Sequence, residues 1–134
     1  MKKVVVTGGA GFIGSYLVDE LIGKGVEVIV LDNLSTGKRE NLNPDARLVV
    51  CNIPQASTEF LCEQTQDVDV VFHLAAKTAV QESIENPEMY NEINVGGTLK
   101  MLEVCRLNNI PKFIFSSTSA IYGDTKTPTS EKNP

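Results

Sequence analysis

The chain has 134 residues, of which 42% are hydrophobic and 22% are charged, and its formal net charge is -5. That length fits one domain with a buried core, and the ordinary apolar fraction excludes a disordered chain. Because the balance is acidic and the lysines and arginines are dispersed, neither nucleic acid nor an anionic membrane is expected as a partner.

Cysteine and histidine usage limits the kinds of site that the chain could form. Cys51, Cys62 and Cys105 are widely spaced and include no CxxC pair, which is typical of reduced thiols in a cytoplasmic protein. His73 is the only histidine, so a multi-histidine zinc site is excluded and no metal site is expected. The apolar run near the N-terminus is too short for an export signal or a membrane span. We therefore expect a cytoplasmic location.

Apolar runs of strand length alternate with helical patterns in the first half of the chain, which predicts βαβ units and a parallel sheet. A β-branched run at residues 3–7 ends at glycines, and apolar residues four apart then predict a helix over residues 12–24. The next predicted elements are strands at 26–31 and 47–51, a helix at about 56–65 and a strand at 68–74.

The second half of the chain completes the predicted sheet. Pro87 fits the first turn of a long helix over residues 87–108, and a fifth strand follows at 112–117. Residues 123–134 are polar and predict a loop. Right-handed crossovers would give a Rossmann-like, doubly wound α/β domain over residues 1–134, with strand order 3-2-1-4-5. One face of the long helix would carry Met89, Ile93, Gly97, Met101 and Cys105.

A glycine cluster at residues 7–14 joins the first predicted strand to the first predicted helix. Gly9, Gly11 and Gly14 satisfy a GxGxxG spacing, and Gly8 with the last two gives GxxGxxG. Missing Cβ atoms permit a tight turn and let backbone N–H groups approach a pyrophosphate, which the helix N-terminus also favours. An ordinary glycine-rich connection is the alternative. Strand, helix and a following acid are all in place, so we predict a dinucleotide-binding turn.

Asp32 is the acid that this type of site requires at the end of the second strand. A carboxylate there accepts hydrogen bonds from the adenosine ribose hydroxyls and would repel a 2′-phosphate, which favours NAD over NADP. A capping aspartate in a turn is the alternative interpretation. Lys38 and Arg39 lie nearby and leave NADP open, although solvated loop charges are the simpler explanation for them.

Five motifs in a fixed order carry a resemblance to a known family. They are the glycine turn at 7–14, Asp-Asn-Leu-Ser-Thr-Gly at 32–37, His-Leu-Ala-Ala at 73–76, Asn-Val-Gly-Gly-Thr at 94–98 and residues 116–123. Together they resemble the extended short-chain dehydrogenase/reductases, and within them the NAD-dependent sugar-nucleotide epimerases and dehydratases. The similarity covers the whole chain and is greatest to UDP-sugar 4-epimerases. It implies NAD as cofactor, a UDP-sugar as substrate, and transient oxidation followed by re-reduction at the sugar C4.

The resemblance implies a cofactor role for particular residues of this chain. The glycine turn would line the pyrophosphate, Asp32 with Asn33 would hold the adenosine ribose, and residues 74–76 would run beside the nicotinamide half. Asn52 replaces the aspartate that usually contacts the adenine amine, but its carbonyl oxygen is able to accept the same hydrogen bond. The expected cofactor-binding residues are Gly8, Gly11, Phe12, Ile13, Gly14, Asp32, Asn33, Asn52, Ile53, Leu74, Ala75, Ala76 and Asn94.

Thr118 takes the position of the family's catalytic serine or threonine, whose hydroxyl hydrogen-bonds the reacting oxygen of the sugar. Ser119 and Ala120 follow it where dehydratases have an Asp-Glu pair, which favours an epimerase. Asn94 would support this site from within a helix, unless it is simply a helix-surface asparagine. His73, at the end of an apolar strand, is interpreted as structural.

The family's catalytic Tyr-x-x-x-Lys pair, in which the ammonium lowers the tyrosine pKa, has a literal match at Tyr122 and Lys126. We reject this match because it lies too close to Thr118 and because Gly123 and the Thr-Pro-rich run oppose a helix. The resemblance places the working pair beyond Pro134. The chain is therefore expected to be an N-terminal part, truncated relative to the family fold, that binds NAD without turnover.

Two predictions concern partners and alternative functions. The edge strand at 112–117 and an uncovered apolar face on the helix at 89–105 predict self-association, as a homodimer. A dinucleotide-sensing regulator without catalysis is one alternative function for the chain. The other is a different NAD(P)-dependent sugar-nucleotide dehydratase or reductase, although Asp32 weakens the case for NADP.

Overall fold

The computed structural model describes residues 1–124 and 128–132. Its strands are β1 (Lys3–Thr7), β2 (Glu27–Asp32), β3 (Arg47–Val50), β4 (Val70–His73) and β5 (Lys112–Phe115). All neighbouring strands pair in parallel, and the order is β3-β2-β1-β4-β5. The predicted Rossmann-like order is thus confirmed. The predicted strands at 47–51, 68–74 and 112–117 are one to three residues longer than the observed strands. The predicted strand at 26–31 is shifted by one residue.

The helices are α1 (Phe12–Gly23), α2 (Thr58–Gln64), α3 (Val80–Glu85), α4 (Pro87–Tyr90) and α5 (Gly97–Leu107). A π-helical turn at Asn91–Gly96 joins α4 to α5, and 3-10 turns lie at Arg39–Asn41 and Ser119–Tyr122. None of these helices, in the part of the chain described, combines the length and apolarity that a membrane crossing needs.

The central strands β1, β2 and β4 are buried on both faces, which explains why they are continuously apolar. Val5 and Ile29 on one face pack in a cluster with Leu61 of α2 and with the buried side of α5. Val4 and Val6 on the other face pack with Val18 and Leu21 of α1. Strand alternation sends neighbouring valines into opposite layers, so α1 covers one side of β1 and β2 while α2 and α5 cover the other.

The long predicted helix is helical from Pro87 to Leu107 but is not a uniform α-helix. Its middle turn, Asn91–Gly96, has π geometry. This turn contains Asn94, whose side chain hydrogen-bonds backbone atoms of Lys77 instead of facing solvent. Insertions of this kind occur often at functional sites. Periodicity alone did not predict it, because the cause is a contact with a distant segment.

The apolar face expected to lie uncovered on this helix is buried along α5 and half-buried at Met89 and Ile93, so that prediction was wrong. Gly97, Met101 and Cys105 lie in or against the core, and Met101 is fully buried. Their small or flexible side chains allow α5 to approach the sheet and α2 closely. The exposed apolar stripe is a different one, formed by Val95, Leu99 and Leu102.

Helix α3, which no sequence pattern predicts, has six residues and no side-chain hydrogen bond at its N-cap. Such a short helix is not stable from propensity alone. Glu82 of α3 accepts a hydrogen bond from the Tyr90 hydroxyl of α4 at 2.8 Å. A contact with α4 therefore holds this helix in place, and a local sequence pattern does not predict such a contact.

Candidate functional site

A groove of about 570 Å³ runs across the carboxyl ends of the strands. Its walls are the glycine turn after β1, the end of β2, and the segments that follow β3, β4 and β5. The chain crosses from one side of the sheet to the other between β1 and β4, where doubly wound folds bind ligands.

The glycine turn packs so closely that side chains are excluded at two positions. Gly8 has φ +68°, and a Cβ there would lie 2.9 Å from the backbone nitrogen of Ala75. A Cβ on Gly14 would overlap Gly8 O and lie 2.7 Å from Gly9 Cα. The turn is closed by a 3.2 Å hydrogen bond from Gly11 N to Gly8 O. The N-terminus of α1 lies at the groove, and its N-cap, Gly11, makes no side-chain hydrogen bond to the first amides of the helix.

Asp32 lies at the end of β2 and ties this strand to the glycine turn. Its Oδ2 accepts a hydrogen bond from Ala10 N at 2.9 Å, and its Oδ1 accepts one from Leu34 N at 2.8 Å. A carboxylate has about four acceptor sites, so about two remain for other donors. The two interpretations of Asp32 are thus compatible, because the side chain caps a turn and also keeps free lone pairs at the groove.

The segment after β3 brings Asn52 and Ile53 to the groove. The Lys100 ammonium of α5 donates to the carbonyl oxygens of Pro54 at 2.5 Å and Ala56 at 2.7 Å. These bonds tie the segment to α5. The position of Asn52 is therefore set by a helix on the other side of the segment, not by β3 alone.

His73, the last residue of β4, is buried, and both of its ring nitrogens are hydrogen-bonded. The Thr98 hydroxyl donates to Asn94 O at 2.6 Å, so its oxygen accepts from His73 Nε2 at 3.1 Å. The Thr7 hydroxyl oxygen accepts from the two amides that follow His73, so it donates to His73 Nδ1 at 2.9 Å. This pattern assigns a neutral imidazole with the proton on Nε2. His73 joins β1, β4 and α5 beneath the site.

Burial lowers the pKa of His73 from the ordinary 6.5 to about 4. The unfolded chain then binds more protons than the folded one between these values, so stability is complete above pH 6.5 and falls as the pH drops toward 4. We expect a loss of about 3 kcal/mol from this residue. Because His73 is the only histidine, its ring protons give a single proton NMR titration in the folded protein. A titration midpoint near 4 is expected, and a midpoint at or above 6 would contradict the assignment.

Asn94 and Thr118 lie at a second hollow of about 400 Å³ beside the groove. Asn94 Oδ1 accepts from Lys77 N at 2.8 Å, and its Nδ2 donates to Lys77 O at 2.9 Å. Both ends of the amide are occupied, so Asn94 is not a free helix-surface residue. Thr118 Oγ1 accepts from Ala120 N at 3.2 Å and is exposed.

All the residues expected to bind the cofactor line the groove except Asn94, which lies at the adjoining hollow. Lys38 and Arg39, which left NADP open, are exposed and do not line the groove. The expected residues that line the groove are Gly8, Gly11, Phe12, Ile13, Gly14, Asp32, Asn33, Asn52, Ile53, Leu74, Ala75 and Ala76.

Sequence analysis missed a bonded cluster of Lys77, Glu82 and Tyr90 at the groove. Lys77 Nζ lies 3.0 Å from Glu82 Oε1, and the Tyr90 hydroxyl donates to Glu82 Oε2 at 2.8 Å. The bond to Lys77, then the bond to Tyr90, lowers the pKa of Glu82, so its carboxyl group is ionised at neutral pH. The one sequence feature that could have indicated this cluster is Lys77, directly after the His-Leu-Ala-Ala motif. Its partners, Glu82 on α3 and Tyr90 on α4, lie farther along the chain.

Other nucleophilic or metal-binding groups contribute little at this site. Cys51 lines the groove, but burial and the nearby Asp32 charge raise the pKa of its thiol, which disfavours a reactive thiolate. Within residues 1–124 and 128–132, no cluster of histidine, cysteine and carboxylate side chains is arranged to hold a metal ion. Tyr122 lies in a 3-10 turn, and Lys126 falls outside the described residues.

Comparison with known proteins gives a consistent result. The profile of the NAD dependent epimerase/dehydratase family matches residues 4–134. UDP-glucose 4-epimerase of Lacticaseibacillus casei is 40% identical over 134 residues, covering 98% of this chain and 40% of that protein. The crystal structure of UDP-glucose 4-epimerase from Brucella ovis in complex with NAD has a TM-score of 0.87 and 39% identity, covering 98% of this chain and 40% of that one.

Relatives with other named substrates share the same similarity. UDP-N-acetylglucosamine 4-epimerase from Methanobrevibacter ruminantium, in complex with UDP-N-acetylmuramic acid, has a TM-score of 0.86 and 44% identity, covering 98% of this chain and 43% of that one. UDP-glucuronic acid decarboxylase 1 of Arabidopsis thaliana is 42% identical over 127 residues, covering 91% of this chain and 27% of that protein. The chain thus spans less than half the length of each of these relatives. On its sequence and its fold, it belongs to the NAD dependent epimerase/dehydratase family.

Proposed function

We propose that residues 1–134 form a domain that binds NAD in the groove. The observation that carries this proposal is the 2.9 Å hydrogen bond between Ala10 N and Asp32 Oδ2. It holds a carboxylate with free lone pairs beside a turn that excludes side chains at Gly8 and Gly14. Adenosine ribose hydroxyls match the carboxylate, and the diphosphate matches the open amides at the start of α1.

The two ends of the groove fit the two halves of the dinucleotide. Asn33, Asn52 and Ile53 face the adenosine end, where the Asn52 carbonyl oxygen would accept a hydrogen bond from the adenine amine. The backbone at residues 74–76 carries small side chains after Leu74, which lets the nicotinamide half approach closely. Phe12 and Ile13, which line the groove at the start of α1, would lie beside the diphosphate.

We further infer the reaction of the longer protein to which such a domain would belong, with UDP-glucose 4-epimerase as the best fit. When bound, NAD would supply a hydride acceptor for transient oxidation at the sugar C4 and for the re-reduction that follows. Thr118 lies in the hollow next to residues 74–76 and would hydrogen-bond the reacting oxygen. Asn94 holds the backbone at Lys77 on the border between that hollow and the groove. The expected location is the cytoplasm.

The 134-residue chain itself is proposed to bind NAD without turnover. The base expected for the reaction is a tyrosine whose pKa is lowered by the ammonium of a lysine one helical turn later. Tyr16 in α1 has Glu20 at that spacing, and Tyr90 at the end of α4 has Asn94. Neither of these pairs supplies the ammonium that the chemistry requires.

Calorimetric titration with NAD and NADP tests the binding proposal. We expect NAD to bind with one site per chain and NADP to bind at least about tenfold more weakly, because Asp32 repels a 2′-phosphate. Addition of UDP-glucose and NAD should then yield no UDP-galactose. Absence of NAD binding would refute the domain assignment, and epimer formation would refute the claim that turnover is absent.

We also propose that the chain self-associates through the edge strand β5 and the exposed apolar stripe, which runs from the π turn into α5. Val95, Leu99 and Leu102 form the stripe, and Phe115 leaves 54% of its surface exposed at the edge of the sheet. Large apolar patches and open strand edges promote association. We expect dimers in sedimentation velocity runs at micromolar concentration, and monomers for Leu99→Lys. A wild-type chain that stays monomeric over a wide concentration range would contradict this proposal.

A further inference from the structure

The side chains that line the groove carry more negative than positive charge. Among the described residues that line it, the charged side chains are Asp32, Lys77 and Glu82, so Lys77 is the only cation. A dinucleotide brings a diphosphate with two negative charges. Lys77 is the side chain that could neutralise part of that charge, yet it is already paired with Glu82 at 3.0 and 3.1 Å.

Lys77 is close enough to the glycine turn for its ammonium to serve the diphosphate. A Cβ on Gly8 would lie 2.9 Å from Ala75 N, which shows that the backbone before Lys77 rests directly on the turn. Two residues extend the chain by at most about 7 Å. Asn94 fixes the Lys77 backbone by two hydrogen bonds, so only the flexible side chain is free to move.

Glu82 is held independently of Lys77. Its Oε2 accepts the Tyr90 hydroxyl at 2.8 Å, and Tyr90 is buried whereas the side chains of Lys77 and Glu82 are partly exposed. The carboxylate therefore keeps a partner when the ammonium leaves. A lysine ammonium is a mobile point charge that binds either a carboxylate or a phosphate oxygen.

We propose that Glu82 competes with the diphosphate of the dinucleotide for Lys77. On binding, Lys77 exchanges a Glu82 oxygen for a phosphate oxygen, while Glu82 stays hydrogen-bonded to Tyr90. Glu82 thus weakens binding in two ways, since it occupies the cation and places a negative charge at the same groove. This inference rests on the proposed NAD site and adds a residue that limits its affinity.

The proposal predicts opposite effects for the two members of the ion pair. Lys77→Met removes the cation and should weaken NAD binding about tenfold, as expected for loss of a hydrogen bond to a charged group. Glu82→Gln keeps an oxygen that accepts from Tyr90 but removes the competing charge. It should tighten NAD binding about threefold, the scale of a partly exposed ion pair, and less so at high salt.

The test is a calorimetric titration of the 134-residue chain and its variants with NAD and with adenosine, which lacks the diphosphate. We expect both changes in NAD affinity, and no change in adenosine affinity for either variant. The matched control is Glu103→Gln, which removes an exposed carboxylate paired with Arg106 on α5 and should leave NAD binding unchanged. Thermal denaturation of each variant reports whether the fold is preserved.

The outcomes separate this inference from the proposed function. If wild-type chain fails to bind NAD, the proposed function is wrong and the inference falls with it. If NAD binds wild type but Glu82→Gln binds NAD equally or more weakly, the competition is refuted while the NAD site stands. A parallel change in adenosine affinity would also refute it, because it would show that the substitution disturbs the whole groove.

Discussion

Replacement of Gly14 by alanine is expected to destabilise the protein by about 3 kcal/mol, the upper range for an added group without room. The new Cβ would overlap Gly8 O and lie 2.7 Å from Gly9 Cα. These neighbours are backbone atoms of the same tight turn, so they cannot move aside as a flexible side chain would. We expect NAD binding to be lost as well, because the turn that would hold the diphosphate must open.

Gly23→Ala provides the matched control for this substitution. Gly23 lies at the end of α1, and a Cβ there would meet no atom within 4 Å. Alanine in a helix is more stable than glycine by up to about 1 kcal/mol, so this variant should be as stable as wild type or slightly more so. Urea denaturation of both variants gives the comparison. Equal stability of Gly14→Ala and Gly23→Ala would show that the turn tolerates a side chain.

Asp32→Asn is expected to raise the dissociation constant for NAD by at least about tenfold. The change removes the charge and turns one carboxylate oxygen into an amide that faces a backbone donor, either Ala10 N or Leu34 N. It should also reduce the preference for NAD over NADP, because the charge that repels a 2′-phosphate is gone. Calorimetry with both dinucleotides measures the two effects separately.

The ratio of the two affinities distinguishes a ligand role from a purely structural one. If Asp32 only capped the turn, both dinucleotides would lose affinity equally and the ratio would stay constant. Asp45→Asn, a change at an exposed acid after the 3-10 turn, should alter neither affinity nor ratio. An unchanged ratio in Asp32→Asn would therefore contradict the proposed contact with the ribose.

The strand order was predictable because apolar strands alternate with helical segments, and right-handed crossovers then place helices on both faces of a parallel sheet. Val4–Val6 are apolar without alternation, and the structure buries them completely between α1 on one side and α2 with α5 on the other. The glycine turn and Asp32 were predictable for a related reason, since both occupy fixed places next to these strands.

The features that escaped prediction depend on contacts between distant segments. The π turn contains Asn94, which bonds to the distant Lys77, and α3 is tied to α4 by the contact between Glu82 and Tyr90. The face of α5 that carries Gly97, Met101 and Cys105 was predicted to be uncovered, because periodicity identifies an apolar face but not the surface that packs against it. Each case requires knowledge of which surfaces meet, and periodicity within one helix does not contain it.

A residue-resolved NMR titration of the chain with NAD tests whether the groove is the dinucleotide site. We expect the amide resonances to shift along the glycine turn at residues 8–14, at Asp32 and Asn33, and along residues 74–77. The resonances at the end of α1 near Gly23 should remain unchanged. Absence of shifts at the glycine turn under saturating NAD, or shifts confined to other surfaces, would show that NAD does not bind in this groove.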